Sequence, residues 1–197
     1  QQWLRSLAES KRQADKAKRK ERTQVRLEDL LARLDGFGLQ GDVIFHSSLS
    51  NIGRFDGSPQ QIAAAFAERL SGPGRTLLVP ALPYNTSMKE YLDGVTGFDV
   101  RSAPNAMGAI PNILMGREGA LRRVHPSHSI VALGERAADY VRHHEQDATP
   151  FGPNSPYRKL TVAGGSILML GVGLNSVTNF HVYEDLLGEA MPIQVYL

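Results

Sequence analysis

The sequence predicts a layered α/β fold, and three observations carry that prediction. Short apolar runs of strand length, "VIF" at 43–45, "TLLV" at 76–79 and "SILML" at 166–170, alternate with segments whose composition suits amphipathic helices. Glycine-rich and polar turns, "DGFGLQGD", "SGPGR" and "GVGLNS", punctuate them. A chain of 197 residues, 42% apolar and 21% charged, is large enough for one domain with its own core.

Before Gly36 the chain is free of Gly and Pro and rich in Ala, Lys, Arg, Glu, Gln and Leu, a helical composition with two different halves. Leu27, Leu30, Leu31 and Leu34 recur at i, i+3, i+4 and i+7, so the second half should dock on a core. Residues 11–22 hold 7 basic and 2 acidic side chains with almost nothing apolar, which reads as a solvated helix. Residues 1–26 are therefore expected to be a basic helical extension, and 27–197 the folded domain. Residues 1–40 carry 10 Lys and Arg against 6 Asp and Glu, a charge of +4, whereas the remainder carries 12 against 14, or −2.

Further along, "VIFHSSL" reads as a buried strand running into a polar loop. Ser58 followed by Pro59 gives an N-cap and a first-turn proline for the helix "QQIAAAFAERL". Residues 83–104 read as a long irregular loop, and "MGAIPNILMGREGAL" as a helix broken by Pro111. "RRVHPSHSIVALG" is a polar turn feeding a strand, and "ERAADYVRHH" a helix ending in His143 and His144, where the helix dipole favours cations. A proline-rich loop around a short helix then leads to "SILMLGVGL", expected to be a central strand.

Several chemistries drop out. With no cysteine there is no disulfide, thiolate metal site or cysteine nucleophile, which fits a reducing compartment. No apolar run approaches the roughly 20 residues needed to span a bilayer, and the N-terminus lacks the apolar core of a signal peptide, so a cytoplasmic location without membrane contact is expected. "GVGLNS" lacks the third glycine of a dinucleotide fingerprint, and no G-x-S-x-G elbow or HExxH metal motif occurs.

Polar residues just beyond strand ends carry the remaining weight, because ligands of open α/β sheets gather there. "HSSL" at 46–49 offers hydroxyls and amides that could cradle an oxyanion, though capping and turn duties explain it as well. "PNAMG" at 104–108, "HPSHS" at 125–129 and "NSVTNFHVYE" at 175–184 are the other three places. His181 and Glu184 lie three apart, so on a helix the carboxylate can orient the imidazole and raise its basicity. On spacing alone an ordinary helix start with acidic residues fits at least as well.

In this order and spacing, "GDVIFHSSLSNIG", "GPGRTLLVPAL", "SAPNAMGAIPNIL", "RRVHPSHSIVALG", "PFGPNSPYRKL" and "ILMLGVGLNSVTNFHVYED" resemble the aminoglycoside 3-N-acetyltransferase family over roughly residues 27–197. The resemblance implies a layered α/β/α sandwich with a central mixed sheet, distinct from the common acetyltransferase superfamily fold. It also implies acetyl transfer from acetyl-CoA to an amine, with no metal. His181 matches the family's general base and Glu184 its acidic partner. Ser47, Ser48 and Leu49 match the turn that meets the pantetheine arm and thioester. Met107, Gly108, His125, Ser127 and Ser129 match motifs lining the same cleft, and Thr178 matches a hydroxyl residue preceding the histidine.

The resemblance further implies oxyanion stabilisation by backbone N–H groups near Ser48. The implied partners are a small-molecule amine and acetyl-CoA, with a homodimer left open. Family members commonly continue well past the histidine helix, so 27–197 reads as a domain incomplete at its C-terminus. The acceptor could be an aminoglycoside or another amino sugar, since the insert at 84–99 offers only Glu90, Asp93 and Asp99 to a polycation. A non-catalytic nucleic-acid-binding protein using the basic N-terminal helix is the competing reading. Lacking an aromatic or apolar second face, that helix makes nucleic acid the less expected partner.

Overall fold

The computed structural model describes residues 10–11, 13–15, 17, 23–99, 102–123 and 125–192. In chain order the elements are β1 (Gln24–Val25), α1 (Leu27–Gly36), β2 (Val43–Ser47), β3 (Arg54–Phe55), α2 (Pro59–Leu70), β4 (Thr76–Pro80) and α3 (Met88–Gly94). Then follow α4 (Ala109–Met115), β5 (Leu121–Arg122), β6 (Ile130–Gly134), α5 (Ala137–Val141), α6 (Pro156–Val162), β7 (Ser166–Leu170) and α7 (Phe180–Leu187). Single 3-10 turns at Leu49–Asn51, His144–Gln146, Leu174–Ser176 and Gly188–Ala190 link them.

Period-two alternation sorts the strand side chains onto two sides of one sheet. Val43, Phe45, Leu77, Val79 and Val131 point into one core, closed by Leu34 of α1, by Ile62, Phe66 and Leu70 of α2, and by Ile110 and Leu114 of α4. Ile44, Leu78, Ile130 and Ala132 point into the other, closed by Tyr140 of α5, by Phe151 of the loop before α6, by Tyr157 and Leu160 of α6, and by Val182 of α7. The result is an α/β/α sandwich. Each fully buried Phe, Leu or Ile contributes roughly 1.5–3 kcal/mol by leaving water, and the Phe45 and Phe66 rings stack at 4.9 Å between sheet and helix.

The five-stranded sheet runs β5-β6-β4-β2-β7. β2 is parallel to both neighbours, with Val43 opposite Ser166 through Ser47 opposite Leu170, while β4–β6 and β6–β5 are antiparallel. The sheet is therefore mixed, and β2, β4 and β7 all end on one side of it. β7 is not central as its apolar run suggested but forms an edge of the described sheet. Leu168 and Leu170 pack on the first core while Ile167 and Met169 are 41% and 36% exposed. α7 likewise exposes Phe180, Tyr183, Leu186 and Leu187, a surface of the kind that normally meets another element or chain.

Local chemistry explains most boundaries. α1 docks through the leucines its periodicity marks: Leu34 is buried, and Leu27, Leu30 and Leu31 pack partly against the first core. α2 starts at a capping box in which Ser58 Oγ accepts from the Gln61 amide and Gln61 Oε1 accepts from the Ser58 amide, with Pro59 at the first position. Pro111 does not break a helix. It lies in the first turn of α4, where an N–H would have no intrahelical partner anyway. The expected irregular stretch at 83–104 contains α3, capped by Ser87 Oγ accepting from the Glu90 amide. α5 stops at Val141, and His143 adopts a left-handed backbone with φ 65°, which separates His144 from the helix.

Asp42, at the start of β2, is buried and accepts hydrogen bonds from Arg136 and Tyr140, tying the sheet to α5. Of the basic stretch, residues 10, 11, 13–15 and 17 are helical and exposed. Among the described residues no helix is long and apolar enough to cross a membrane. Replacing Ser58 by Ala removes half of the α2 capping box. A loss of about 1 kcal/mol of stability is expected, read as a lower urea midpoint at unchanged slope.

Candidate active site

Three parallel strands ending together leave a depression at their C-terminal edge, the usual ligand position in such sheets. Here it is a cleft of about 280 Å³. β2 contributes Phe45, His46 and Ser47; the end of β4 contributes Pro80 and the segment after it Leu82; Met107 comes from just before α4 and Pro111 from its first turn. The loop after β7 lines it with Val172 and with Asn175 to Thr178, and His181 of α7 closes it.

On α7, His181 Nδ1 is hydrogen-bonded to the Glu184 carboxylate, one turn further along the helix. Their side chains are 42% and 31% exposed, so the pair is reachable by substrate. A carboxylate on Nδ1 selects the tautomer with the lone pair on Nε2, the arrangement of a histidine that accepts a proton there.

α7 is fastened from below. Val182 is fully buried, and Asn179 Nδ2 donates to the Tyr157 carbonyl at 3.1 Å. The neighbouring carboxylate, Asp185, accepts from Thr149 Oγ1 and from the Arg158 guanidinium, whose side chain is 17% exposed against 11% for Asp185. Phe151 sits with its ring centroid 5.4 Å from that of His181. The opposite wall is tied to β7: the Ser48 amide donates to the Leu170 carbonyl at 2.8 Å and Asn51 Nδ2 to the Gly171 carbonyl at 3.0 Å. Gly171 has φ +69°, and a Cβ there would stand 2.4 Å from the Ser48 carbonyl oxygen, so no side chain fits this crossing.

The model of the family described as Aminoglycoside 3-N-acetyltransferase matches residues 44–196, which include both cleft walls and the histidine helix. The chain belongs to this family. It is 34% identical over 160 residues to aminoglycoside N(3)-acetyltransferase IX of Micromonospora chalcea, an alignment covering 74% of this chain and 56% of that one. It superposes on the crystal structure of aminoglycoside acetyltransferase AAC(3)-Xa with a TM-score of 0.72 at 31% identity, covering 88% of this chain and 66% of the other. A binary complex of AAC-IIIb with CoASH gives a TM-score of 0.67 at 31% identity, covering 83% and 66%. The chain thus spans less than two thirds of the length of these relatives. Their shared architecture is the family's α/β/α fold, distinct from that of the common acetyltransferase superfamily.

Of the residues that the family resemblance singled out, Ser47, Met107, Thr178 and His181 line the cleft, and Glu184 joins through His181. Ser48, Leu49 and Gly108 do not line it. Of the backbone N–H groups near Ser48 expected to meet an oxyanion, that of Ser48 itself is committed to Leu170, and Ser48 Oγ lies 3.2 Å from Ser50 Oγ. Gly108, with φ 102°, caps α4, and Asn112 Nδ2 donates to its carbonyl at 2.9 Å.

The "HPSHS" residues are not cleft-lining either. They brace a buried turn, in which His125 Nδ1 accepts from the amides of Ser127 and His128 at 3.3 and 3.1 Å, and Ser129 Oγ donates to the His125 carbonyl at 2.9 Å. His144 stacks under His125 with ring centroids 4.5 Å apart and is fully buried, with Nε2 3.0 Å from the Pro150 carbonyl oxygen. It is therefore not the dipole-stabilised surface cation its place in the sequence suggested. Among the described residues no group of three or more His, Asp or Glu side chains is arranged to hold a metal ion.

His46, Asn175 and Ser176 also line the cleft; they lie within the strand-end segments "HSSL" and "NSVTNFHVYE" that the sequence marks, although it assigns them no individual role there. Alternation places His46 on the face of Ile44, two residues before it, and the positions of Asn175 and Ser176 depend on the 3-10 turn after β7.

Burial sets the charge of these imidazoles. Desolvation holds His125 and His128 down at about 3 and His46 at about 4, with neighbouring imidazoles adding to the effect at the first two, and it lowers His144 as well. Between those values and the unfolded value near 6.5 the unfolded chain binds protons that the folded chain refuses, so the stabilisation is complete above pH 6.5 and is lost as pH falls. At pH 5 His46, His125 and His128 each cost on the order of 2 kcal/mol. Urea midpoints are expected to be flat above pH 7 and to fall steeply between pH 6.5 and 4. A midpoint unchanged from pH 7.5 to 5 would contradict the buried neutral cluster.

Proposed function

We propose that this chain carries the catalytic half of an acetyl-CoA-dependent N-acetyltransferase acting on a primary amine of an aminoglycoside or related amino sugar. The observation that carries this reading is the His181–Glu184 pair opening onto a cleft at the strand ends, in a chain whose family is that of aminoglycoside 3-N-acetyltransferases. A primary amine is mostly protonated at neutral pH and cannot attack until a base removes a proton, whereas a thioester is already activated. His181, oriented by Glu184, supplies the base, and no covalent enzyme intermediate is required. Ser47 and Thr178 both line the cleft, and their hydroxyls suit the polar amide groups of a pantetheine arm.

A cleft of this volume accommodates the acyl thioester end and leaves the rest of so large a donor on the surface. AAC-IIIb, the relative solved with CoASH, supports the choice of donor. In the insert at 84–99, Asp93 is paired with Lys89 at 2.8 Å and Asp99 accepts from Ser102 at 3.0 Å, while Glu90 is exposed in the first turn of α3.

Thiol release from acetyl-CoA, screened across aminoglycosides and simple amino sugars, tests the reading and separates the two acceptor classes. His181→Ala is expected to lower turnover by about 100- to 10,000-fold, the usual worth of a general base, with CoA binding by calorimetry nearly unchanged. Turnover at the parental rate in that variant would remove His181 from the mechanism.

A further inference from the structure

Acyl transfer through a tetrahedral intermediate places negative charge on the former carbonyl oxygen, and a donor in the cleft must meet it. The Ser48 amide is spent on Leu170. One cleft-lining side chain stands out instead. His46 is 7% exposed, and its Nε2 is buried with no hydrogen-bond partner among the described residues. Other buried polar atoms also lack partners, on Asp42, Asn105, His144 and Tyr157 for example, but none of these residues lines the cleft. Burying an unpaired donor or acceptor costs about 1–3 kcal/mol, so an orphan kept in a ligand-binding wall calls for a partner that arrives with the ligand. His46 is also placed for that duty. It shares the sheet face of Ile44, which packs in the same core as Val182 of α7, and it lines the same cleft as His181.

We propose that His46 is a second catalytic residue, donating a hydrogen bond from a ring N–H to the thioester carbonyl oxygen while His181 handles the proton. This rests on the acyl-transfer reading above. The amine nitrogen forms a bond to the carbonyl carbon, and the C–O π pair moves onto the oxygen, where the His46 N–H meets it without transferring its proton. His181 takes the proton from the attacking nitrogen. The intermediate then collapses, the C–S bond breaks with its electron pair on sulfur, His181 returns the proton to give the free thiol, and the nitrogen's remaining extra proton passes to solvent as the amide forms. Burial keeps His46 uncharged at neutral pH, with a pKa of about 4, so it retains one N–H donor and does not repel an incoming ammonium group. A neutral imidazole used as an electrophile is an established device for polarising carbonyls.

Two variants and a spectroscopic measurement on the full chain test the assignment. His46→Phe keeps a ring without a donor and is expected to lower kcat about 100- to 1,000-fold with CoA affinity unchanged, while His46→Gln, which keeps an N–H donor, recovers part of that loss. Acetyl-CoA isotope-labelled at the acetyl carbonyl and bound to the parent chain should show a carbonyl stretch shifted below that of the free thioester in water, and the shift should vanish in His46→Phe. Parental kcat in His46→Phe overturns the proposal alone, as does a bound carbonyl at the free frequency in the parent, a result that needs no variant to fold. Absence of thiol release from the parent chain with every amine overturns the acyl-transfer reading and this proposal with it.

Discussion

The parallel pairing of β2 with β7 is the constraint on which the rest of the site depends. Its register, Val43 opposite Ser166 through Ser47 opposite Leu170, continues one step beyond the strands as the Ser48 amide meets the Leu170 carbonyl. Slipping it by one residue would turn His46 away from the α7 face and bring Phe45 there, because side chains alternate along a strand. The glycine at 171 is the steric condition for the crossing, since the Ser48 carbonyl occupies the space a Cβ would need. The two cleft walls are thus held by backbone hydrogen bonds and by the absence of one side chain, which leaves their own side chains available for ligands.

Burial then divides the histidines by function. His125, His128 and His144 sit among Phe151, Tyr157 and one another, where desolvation opposes charge and packing holds the rings. They are structural aromatics with polar edges; the hydrogen bonds of His125 and His128 hold the turn before β6, and that of His144 reaches the Pro150 carbonyl. His181 differs in both respects: it is 42% exposed and hydrogen-bonded to a carboxylate, an environment that orients an imidazole and leaves it accessible. His46 lies between these cases, buried like the first group yet set in the cleft wall like His181.

Much of the fold was legible in the residues because it rests on local signals. The short apolar runs "VIF" and "TLLV", the leucine repeat at 27–34 and the Ser58-Pro59 start of α2 each specify their element within a few positions, and the structure follows them. The position of β7 was not legible, because an apolar strand reads the same at an edge as in the centre until its neighbours are known. His144 was misjudged because nothing local announces that His143 turns left-handed and drives the following ring inward. At the site, the contact between His181 and Glu184 follows from their spacing on one helix, but it was the family resemblance and not the spacing that set the pair apart. The loss of the Ser48 amide to Leu170 could not, since it joins residues more than a hundred positions apart.

The adjacent carboxylates Glu184 and Asp185 show why side-chain direction matters more than composition in this helix. Successive residues on a helix point about 100° apart, so one carboxylate reaches back to His181 while the next turns toward α6, where Arg158 and Thr149 hold it. The first orients the imidazole; the second holds the helix on which that imidazole stands. Asp185 is 11% exposed and opposite a guanidinium that is itself largely covered, so removing it would strand a charge in a poorly solvated place. Such a change would act on His181 through the placement of the whole helix, which is how a residue outside the cleft can govern the geometry inside it.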